Sequence, residues 1–306
     1  MSIQSDAIID RRRLKRRLTF WRVIGVLATV AAVVIAVGRI GGYSETGDRI
    51  ARITVEGIIL DDPVRDQALK DIAEDDDVKA LIVQINSPGG TFVGGEALYL
   101  KLRKIAADKP VVALMGGTAT SAAYMTAIAA DRIFARAGTL TGSIGVILQT
   151  ADITGLLDTI GVKPVIVKSG PLKAQPNPME AFSDDAKAVT QAVVQDFFDM
   201  FVDMVVERRA LDRRQVIELS DGRVFSGRQA KTAGLVDQLG GEEEARSWLA
   251  ENKKVPETLP VVDVKIKHDE EPWRDFISGM VGKTLLSERL RLDGVMSLWQ
   301  PSVKLR

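Results

Sequence analysis

The stretch Leu114–Asp131, LMGGTATSAAYMTAIAAD, opens apolar, passes through Gly116-Gly117 and enters a small-residue segment that reads as the start of a helix. Thr118, Thr120 and Ser121 are the polar groups near that start. A strand, a glycine turn and a helix start that carries a hydroxyl present a nucleophile beside backbone N–H groups, and small neighbours let a carbonyl come close. The plainer alternative is a tightly packed helix N-terminus that Ser121 only caps. A second glycine-rich turn, Ser87-Pro88-Gly89-Gly90, also follows an apolar run. The N–H of Gly89 or Gly90, with that of Ala122, could converge on one carbonyl oxygen as an oxyanion hole.

A serine hydroxyl is a poor nucleophile without a base, and composition narrows the choice of base. The chain has one histidine, His268, inside the charged run KIKHDEE, a poor setting for a member of a Ser-His-Asp triad. A lysine remains. Its amine, with a pKa of about 10.4 in water, is protonated at neutral pH unless burial lowers that value. Lys173 sits in a segment of few charges, Ser169–Pro178, unlike most of the other lysines; an ordinary surface lysine is the alternative there.

Other chemistries are excluded. Without cysteine there is no disulfide framework, no thiolate nucleophile and no Cys-based metal site, and one histidine rules out zinc sites built on several. Neither a metal nor a cofactor is expected. The 41 basic and 41 acidic residues balance, which gives no nucleic-acid signature.

The elements that must position these groups follow from periodicity. Arg49–Leu60 alternates as a strand and Asp62–Asp75 has helical spacing. Ala80–Asn86 is a continuous apolar strand running into Ser87, Phe92–Ala107 is helical, and Val111–Met115 is the next strand. Arg132–Ala135, Ile144–Leu148, Val162–Val167, Gly234–Asp237 and Val261–Ile266 read as further strands. Asp184–Arg209 is the longest amphipathic helix, with Val194, Phe198, Phe201 and Val205 on one stripe. Strands apolar on both faces, alternating with helices, predict a parallel α/β sheet whose ligand edge lies at the carboxyl ends of the strands.

The flanks differ from this region. Seven basic residues precede or border the uncharged run Val23–Gly38, which Phe20, Trp21 and a snorkelling Arg22 extend toward one membrane span. The basic side is expected in the cytoplasm and everything past Arg39 across the membrane. A cleaved signal peptide competes with this reading, through Arg16-Arg17-Leu18-Thr19-Phe20 and the small residues Ala36-Val37-Gly38. The expected division is a basic tail at 1–19, an anchor at 20–40, a catalytic domain at 48–250 and an extension at 256–306. In that extension Trp273, Phe276, Ile277, Met280, Leu285 and Leu286 suggest an amphipathic helix.

Six ordered motifs carry a family resemblance: INSPGG at 85–90, GGTATSAAYMTAIAAD at 116–131, GTLTGSIGV at 138–146, KSGPLK at 168–173, DGRVFSGRQA at 221–230 and GLVDQLGG at 234–241. In these the chain resembles the shorter bacterial signal peptide peptidases of the SppA kind. The resemblance implies a ClpP/crotonase-like α/β fold behind one N-terminal transmembrane helix. It implies Ser121 as nucleophile, Lys173 as general base, Ser143 as the residue that orients the lysine amine, and the Gly89-Gly90 turn in the oxyanion role. Family members often have glycines around the serine; Ala122 and Ala123 stand here, which narrows the pocket. The implied partners are signal peptides, the cytoplasmic membrane of a bacterium, and further copies of the chain in a ring whose sites are shared between subunits. A crotonase-like acyl-CoA enzyme and a non-catalytic membrane scaffold are the competing functions.

Overall fold

A computed structural model of the chain describes residues 19–30, 47–266 and 296–298. Residues up to Gly47 form one unit and those from Asp48 onward another. In the first unit residues 19–30 form a helix, α1, with its residues exposed. Among the described residues no helix is long and apolar enough to cross a membrane, and the rest of the expected span, 31–40, lies outside them. The basic tail at 1–18, His268 and the expected helix through Trp273–Leu286 also lie outside the described residues.

The second unit is built on three long parallel strands, β1 (Arg49–Ile59), β2 (Val78–Thr91) and β3 (Val111–Thr120). Their apolar runs are explained by two covered faces. Ile53, Val55, Leu81, Val83, Ile85, Val111, Ala113 and Met115 enter one buried cluster. The residues between them, Ile50, Ala80, Ile82, Val112 and Leu114, enter another. Strand geometry sends alternate side chains to opposite faces, so a strand that reads as continuously apolar is the signature of a two-sided core.

Helices close both faces. Helix α2 (Pro63–Glu74) starts at Asp62, whose carboxylate accepts from the N–H of Val64 and Arg65, with Pro63 at the first helical position. Helix α3 (Phe92–Ala106) starts at Thr91, whose hydroxyl accepts from Gly94 N–H at 3.1 Å. Helices α4 (Ala122–Ile128), α5 (Thr154–Thr159) and α6 (Asp184–Arg209) follow. Phe201 and Val205 of α6 are buried as the stripe predicts, Phe198 packs partly against the core, and Val194 is only half-buried at the margin. The remaining helices are α7 (Arg213–Leu219), α8 (Gly227–Thr232) and α9 (Glu242–Lys253), and α9 covers the second cluster with Ala245 and Leu249.

The sheet forks along β3. On one edge β3 pairs with β2. On the other, its first half pairs with β4 (Arg132–Ala135) through Val112–Met115, and its second half with β5 (Leu140–Gly142) through Thr118–Thr120. Strand β6 (Val224–Ser226) lies antiparallel to β5, and β7 (Gln238–Leu239) parallel to β4. Beyond β1 lies β8 (Val261–Asp263), and β9 (Met296–Leu298) lies antiparallel on Gly89–Thr91.

Several expectations need correction. Gly116-Gly117 does not end β3. It is a bulge, since Ile85 pairs with Met115 while Ser87 pairs with Ala119, and Asn86 Oδ1 accepts from Thr118 N–H across it. Glycines that read as a turn here let a strand change partners. The Ser87–Gly90 turn is likewise extended, as the last part of β2. The strand expected at 144–148 lies earlier, at Leu140–Gly142, where pairing to β3 is available. Val162–Val167 forms no strand: among the described residues it pairs with no neighbour, and Val165 and Val167 are 89% and 96% exposed.

The carboxyl end of α6 is locked to the forked region by charge. Arg209 donates to both carboxylate oxygens of Asp237, at 3.1 and 2.9 Å, and to Gly234 O at 2.9 Å, while Asp237 also accepts from Ile133 N–H at 2.7 Å. The Arg209 side chain is 9% exposed, so removing it strands a poorly hydrated carboxylate. We expect Arg209→Ala to cost about 3 kcal/mol, read as a lowered denaturation midpoint with an unchanged m-value.

Candidate active site

The site assembles at the carboxyl ends of β2, β3 and β5. Strand β3 leads through Thr120 into Ser121 and at once into α4. Ser121 has φ 59° and ψ −124°, a conformation that an L-residue holds only under strain. It is 1% exposed, and its side chain does not cap α4. The capping alternative is thereby removed. A hydroxyl at a strained strand-to-helix junction is how a nucleophile is raised out of a sheet.

Ser143 stands beside it. Thr120 and Gly142 are register partners of β3 and β5, so Ser121 and Ser143 are the next residues on neighbouring strands. Ser121 N–H donates to Gly142 O at 2.8 Å, and Ser143 N–H donates to Arg223 O at 2.8 Å. Both serines lie at positive φ, 59° and 50°. Ser143 is 8% exposed, and its hydroxyl makes no hydrogen bond among the described residues.

The glycine strand closes the third side. Thr120 Oγ1 donates to Pro88 O at 3.0 Å, which ties the residue before Ser121 to the residue before Gly89. Gly90 has to be glycine, because a Cβ there would stand 1.8 Å from Ile59 O. Gly89, at φ +111°, gives its N–H to Ser87 Oγ at 3.1 Å. Of the two oxyanion candidates on this strand, Gly89 is therefore already engaged by a side chain. Ala122 begins α4 directly after Ser121 and is fully buried. Gly95 of α3 packs on it, where an added Cβ would meet the Ala122 Cβ at 2.9 Å.

The structure thus brings Gly89, Gly90, Ser121, Ala122 and Ser143 together. No hydrogen bond among the described residues joins Lys173 to them: that side chain is exposed in the 168–180 loop, and its ammonium makes no hydrogen bond or ion pair among the described residues. Its N–H donates to Gly170 O at 3.1 Å within the loop. Among the described residues no three His, Asp or Glu side chains come together to hold a metal ion. Tyr124, under the site, donates to Leu235 O at 3.0 Å, and burial drives its phenol far above the usual range, so it stays a neutral donor.

Sequence reasoning missed a layer of hydroxyls that fix these backbones. Thr141 Oγ1 donates to Ala119 O and Thr139 Oγ1 to Gly116 O, both at 2.7 Å, and Ser87 supports Gly89. The signal was present in Thr139-Leu140-Thr141, whose alternation puts both hydroxyls on one face of a strand.

The strain at Ser121 has a measurable consequence. Ser121→Gly and Ser121→Ala both remove the hydroxyl, but only glycine relaxes at positive φ. The glycine variant is expected to be more stable than the alanine variant by about 1 kcal/mol, or ~2–4 °C in thermal midpoint. Equal midpoints would show an unstrained backbone.

Known proteins bear on this geometry. The Peptidase family S49 profile matches residues 103–256 and the Clp protease profile residues 48–141, so the two together span the forked sheet and the loop after it. A protein of Synechocystis sp. described as a protease is 39% identical over 209 residues, which are 68% of this chain and 75% of that one. A protein of Enterococcus faecium described as a signal peptide peptidase SppA is 36% identical over 227 residues, 70% of this chain and 66% of that one. Protease 4 of Salmonella typhi is 33% identical over 223 residues, 69% of this chain but 36% of the much longer relative. With a profile that covers half of its length and relatives that match over two thirds of it, the chain belongs to peptidase family S49 and is a serine peptidase.

Proposed function

We propose that this peptidase is a membrane-anchored endopeptidase with a Ser121/Lys173 dyad that degrades released signal peptides and other extended, apolar peptides. The observation that carries the reading is the placement of Ser121, buried and strained at the β3–α4 junction with Ser143 as its lateral neighbour. In the first step neutral Lys173 takes the proton of Ser121 Oγ as that oxygen attacks the scissile carbonyl. Backbone N–H groups of Gly90 and Ala122 receive the oxyanion, and Gly89 joins them if its N–H leaves Ser87. Lys173 returns the proton to the leaving amine, and the acyl-enzyme forms. A water deprotonated by the same amine then attacks the ester and frees Ser121. The Ser143 hydroxyl orients the amine throughout.

Substrate shape follows from the edge that β9 occupies. Strand β9 runs antiparallel on Gly89–Thr91, with Ser297 opposite Gly90. That edge accepts an extended backbone, as in peptide recognition by strand addition. A substrate takes the place of β9 there and presents its carbonyl beside Ser121. The Enterococcus relative's description supports signal peptides as the physiological class.

Two other features of the reading rest on what the single chain lacks. The Lys173 side chain is exposed, and its ammonium makes no hydrogen bond or ion pair among the described residues. The same segment exposes Leu156, Ile160, Val165 and Val167, which a neighbouring copy would cover in a homo-oligomeric ring. The lysine of one subunit then completes the site of the next. The exposed helix α1, with Phe20 and Trp21 60% and 63% exposed, supports an anchor that leaves the basic N-terminus in the cytoplasm and the peptidase on the outer side of a bacterial cytoplasmic membrane.

The test is complementation. Ser121→Ala and Lys173→Ala subunits are each expected to lose peptide hydrolysis by at least ~10²-fold, and co-assembled in equal amounts to recover a substantial fraction of it. If Lys173→Ala alone keeps most of the activity, the lysine is not the base. If no mixture recovers activity, the site is not shared.

A further inference from the structure

The 147–183 segment that carries Lys173 is shaped by different forces from the rest of the domain. Its one described helix, α5, buries no residue, and Val165, Val167 and Met179 are exposed. No apolar core holds the lysine. What closes the loop instead is a single carboxylate. Glu180 Oε2 accepts from Lys168 Nζ, from Asn177 Nδ2 and from Gln175 Nε2, the last at 2.9 Å. In a segment otherwise open to water, the Lys168 and Glu180 side chains are only 14% and 26% exposed.

Those contacts bracket Lys173. Residues 168 and 180 are the two ends of the loop, and Gln175 and Asn177 lie just past the lysine. Asn177 Nδ2 also donates to Ala174 O at 3.0 Å, and Asn177 Oδ1 accepts from Met179 N–H at 3.0 Å. Ala174, the next residue after the lysine, stands at φ +60°, so the chain reverses there. Pro178 O accepts from Ile153 N–H at 3.0 Å, which joins the loop to the start of α5. Hydrogen bonds from Lys168 and Asn177 hold the Glu180 carboxyl below the usual carboxylate range, so it is ionised at neutral pH.

We infer that Glu180 is a positioning residue for peptide hydrolysis: by gathering Lys168, Gln175 and Asn177 it fixes the 168–180 loop and sets where the Lys173 amine stands. The inference rests on the reading of Lys173 as general base. A base has to be held close to its productive position to work, and side chains on loops are precise only when their surroundings lock them. Glu180 touches neither the substrate nor Ser121. It acts through the lysine alone, and it neutralises Lys168, which would otherwise stand as a second unpaired cation in the loop.

The experiment uses the full chain in its assembled form, with Glu180→Ala, Glu180→Gln and Lys173→Ala singly and Glu180→Ala combined with Lys173→Ala. Three quantities are read: kcat and KM on a fluorogenic apolar peptide, the rate of Ser121 labelling by a fluorophosphonate, and the thermal midpoint with the oligomeric size. Glu180→Ala should lower kcat at least tenfold with KM changed less than threefold and with midpoint and size as in the wild type. Glu180→Gln, which keeps an acceptor for Gln175 and Asn177, should retain more activity than the alanine variant. In the Lys173→Ala background, adding Glu180→Ala should not slow labelling further, because its effect runs through the missing amine. Further slowing there, or a kcat loss matched by a fallen midpoint or broken assembly, assigns Glu180 a general structural role and overturns the inference. Wild-type kcat in Glu180→Ala, with Lys173→Ala inactive, overturns the inference and leaves the dyad standing. An active Lys173→Ala enzyme overturns the dyad first.

Discussion

One strand with two different neighbours along the same edge is the constraint on which the site depends. For its first five residues β3 is an interior strand of an ordinary parallel sheet, between β2 and β4. The bulge at Gly116–Gly117 then turns it onto β5, and the hydrogen-bonded register carries forward to Thr120 and Gly142. Ser121 and Ser143 are neighbours because those two residues pair. A Cβ at position 116 would stand 3.2 Å from Ile85 O, a tight approach that glycine avoids. Past the bend Ala119, Thr120 and Ser121 remain buried, and β3 exchanges β4 for β5 as its partner on that edge.

Around that bend, polar groups do what apolar packing cannot. Apolar residues fill both faces of β1–β3, but hydrophobic burial has no direction and sets no register by itself. The hydroxyls of Thr120, Thr139 and Thr141 each find a specific carbonyl, on Pro88, Gly116 and Ala119. Each such bond adds only ~1 kcal/mol net, yet together they tie three strand ends to one another at fixed positions. The Arg209–Asp237 pair acts in the same way a layer further out, where it joins α6 to β4 through Ile133 N–H.

The features legible in the sequence were those governed by local rules. Continuous apolar runs gave the two-faced strands, helical spacing over Asp62–Asp75 gave α2, and the stripe through Phe201 and Val205 identified the face that α6 buries. What stayed hidden was decided by partners far away in the chain. Glycine pairs read as turns by local chemistry, and only the register of β2 against β3 makes Gly116-Gly117 a bulge. Val162–Val167 has a strand composition but pairs with no strand among the described residues, and a β propensity without a ladder has no effect. For the site, motif order and small-residue context singled out Ser121 and the two glycines as candidates, whereas the conformation of Ser121 and the engagement of Gly89 by Ser87 exist only in three dimensions.

The two halves of the proposed dyad are therefore held by opposite means. Ser121 is set by a buried ladder whose loss would unfold the domain, so its position is as permanent as the fold. Lys173 lies on a loop that owes its shape to one carboxylate and a few amides at the surface, where ordering a backbone costs about 1–2 kcal/mol per residue and little apolar burial offsets it. Under the proposed dyad, a serine fixed by the fold would work with a lysine fixed only by its loop, so the surroundings of that loop would govern activity.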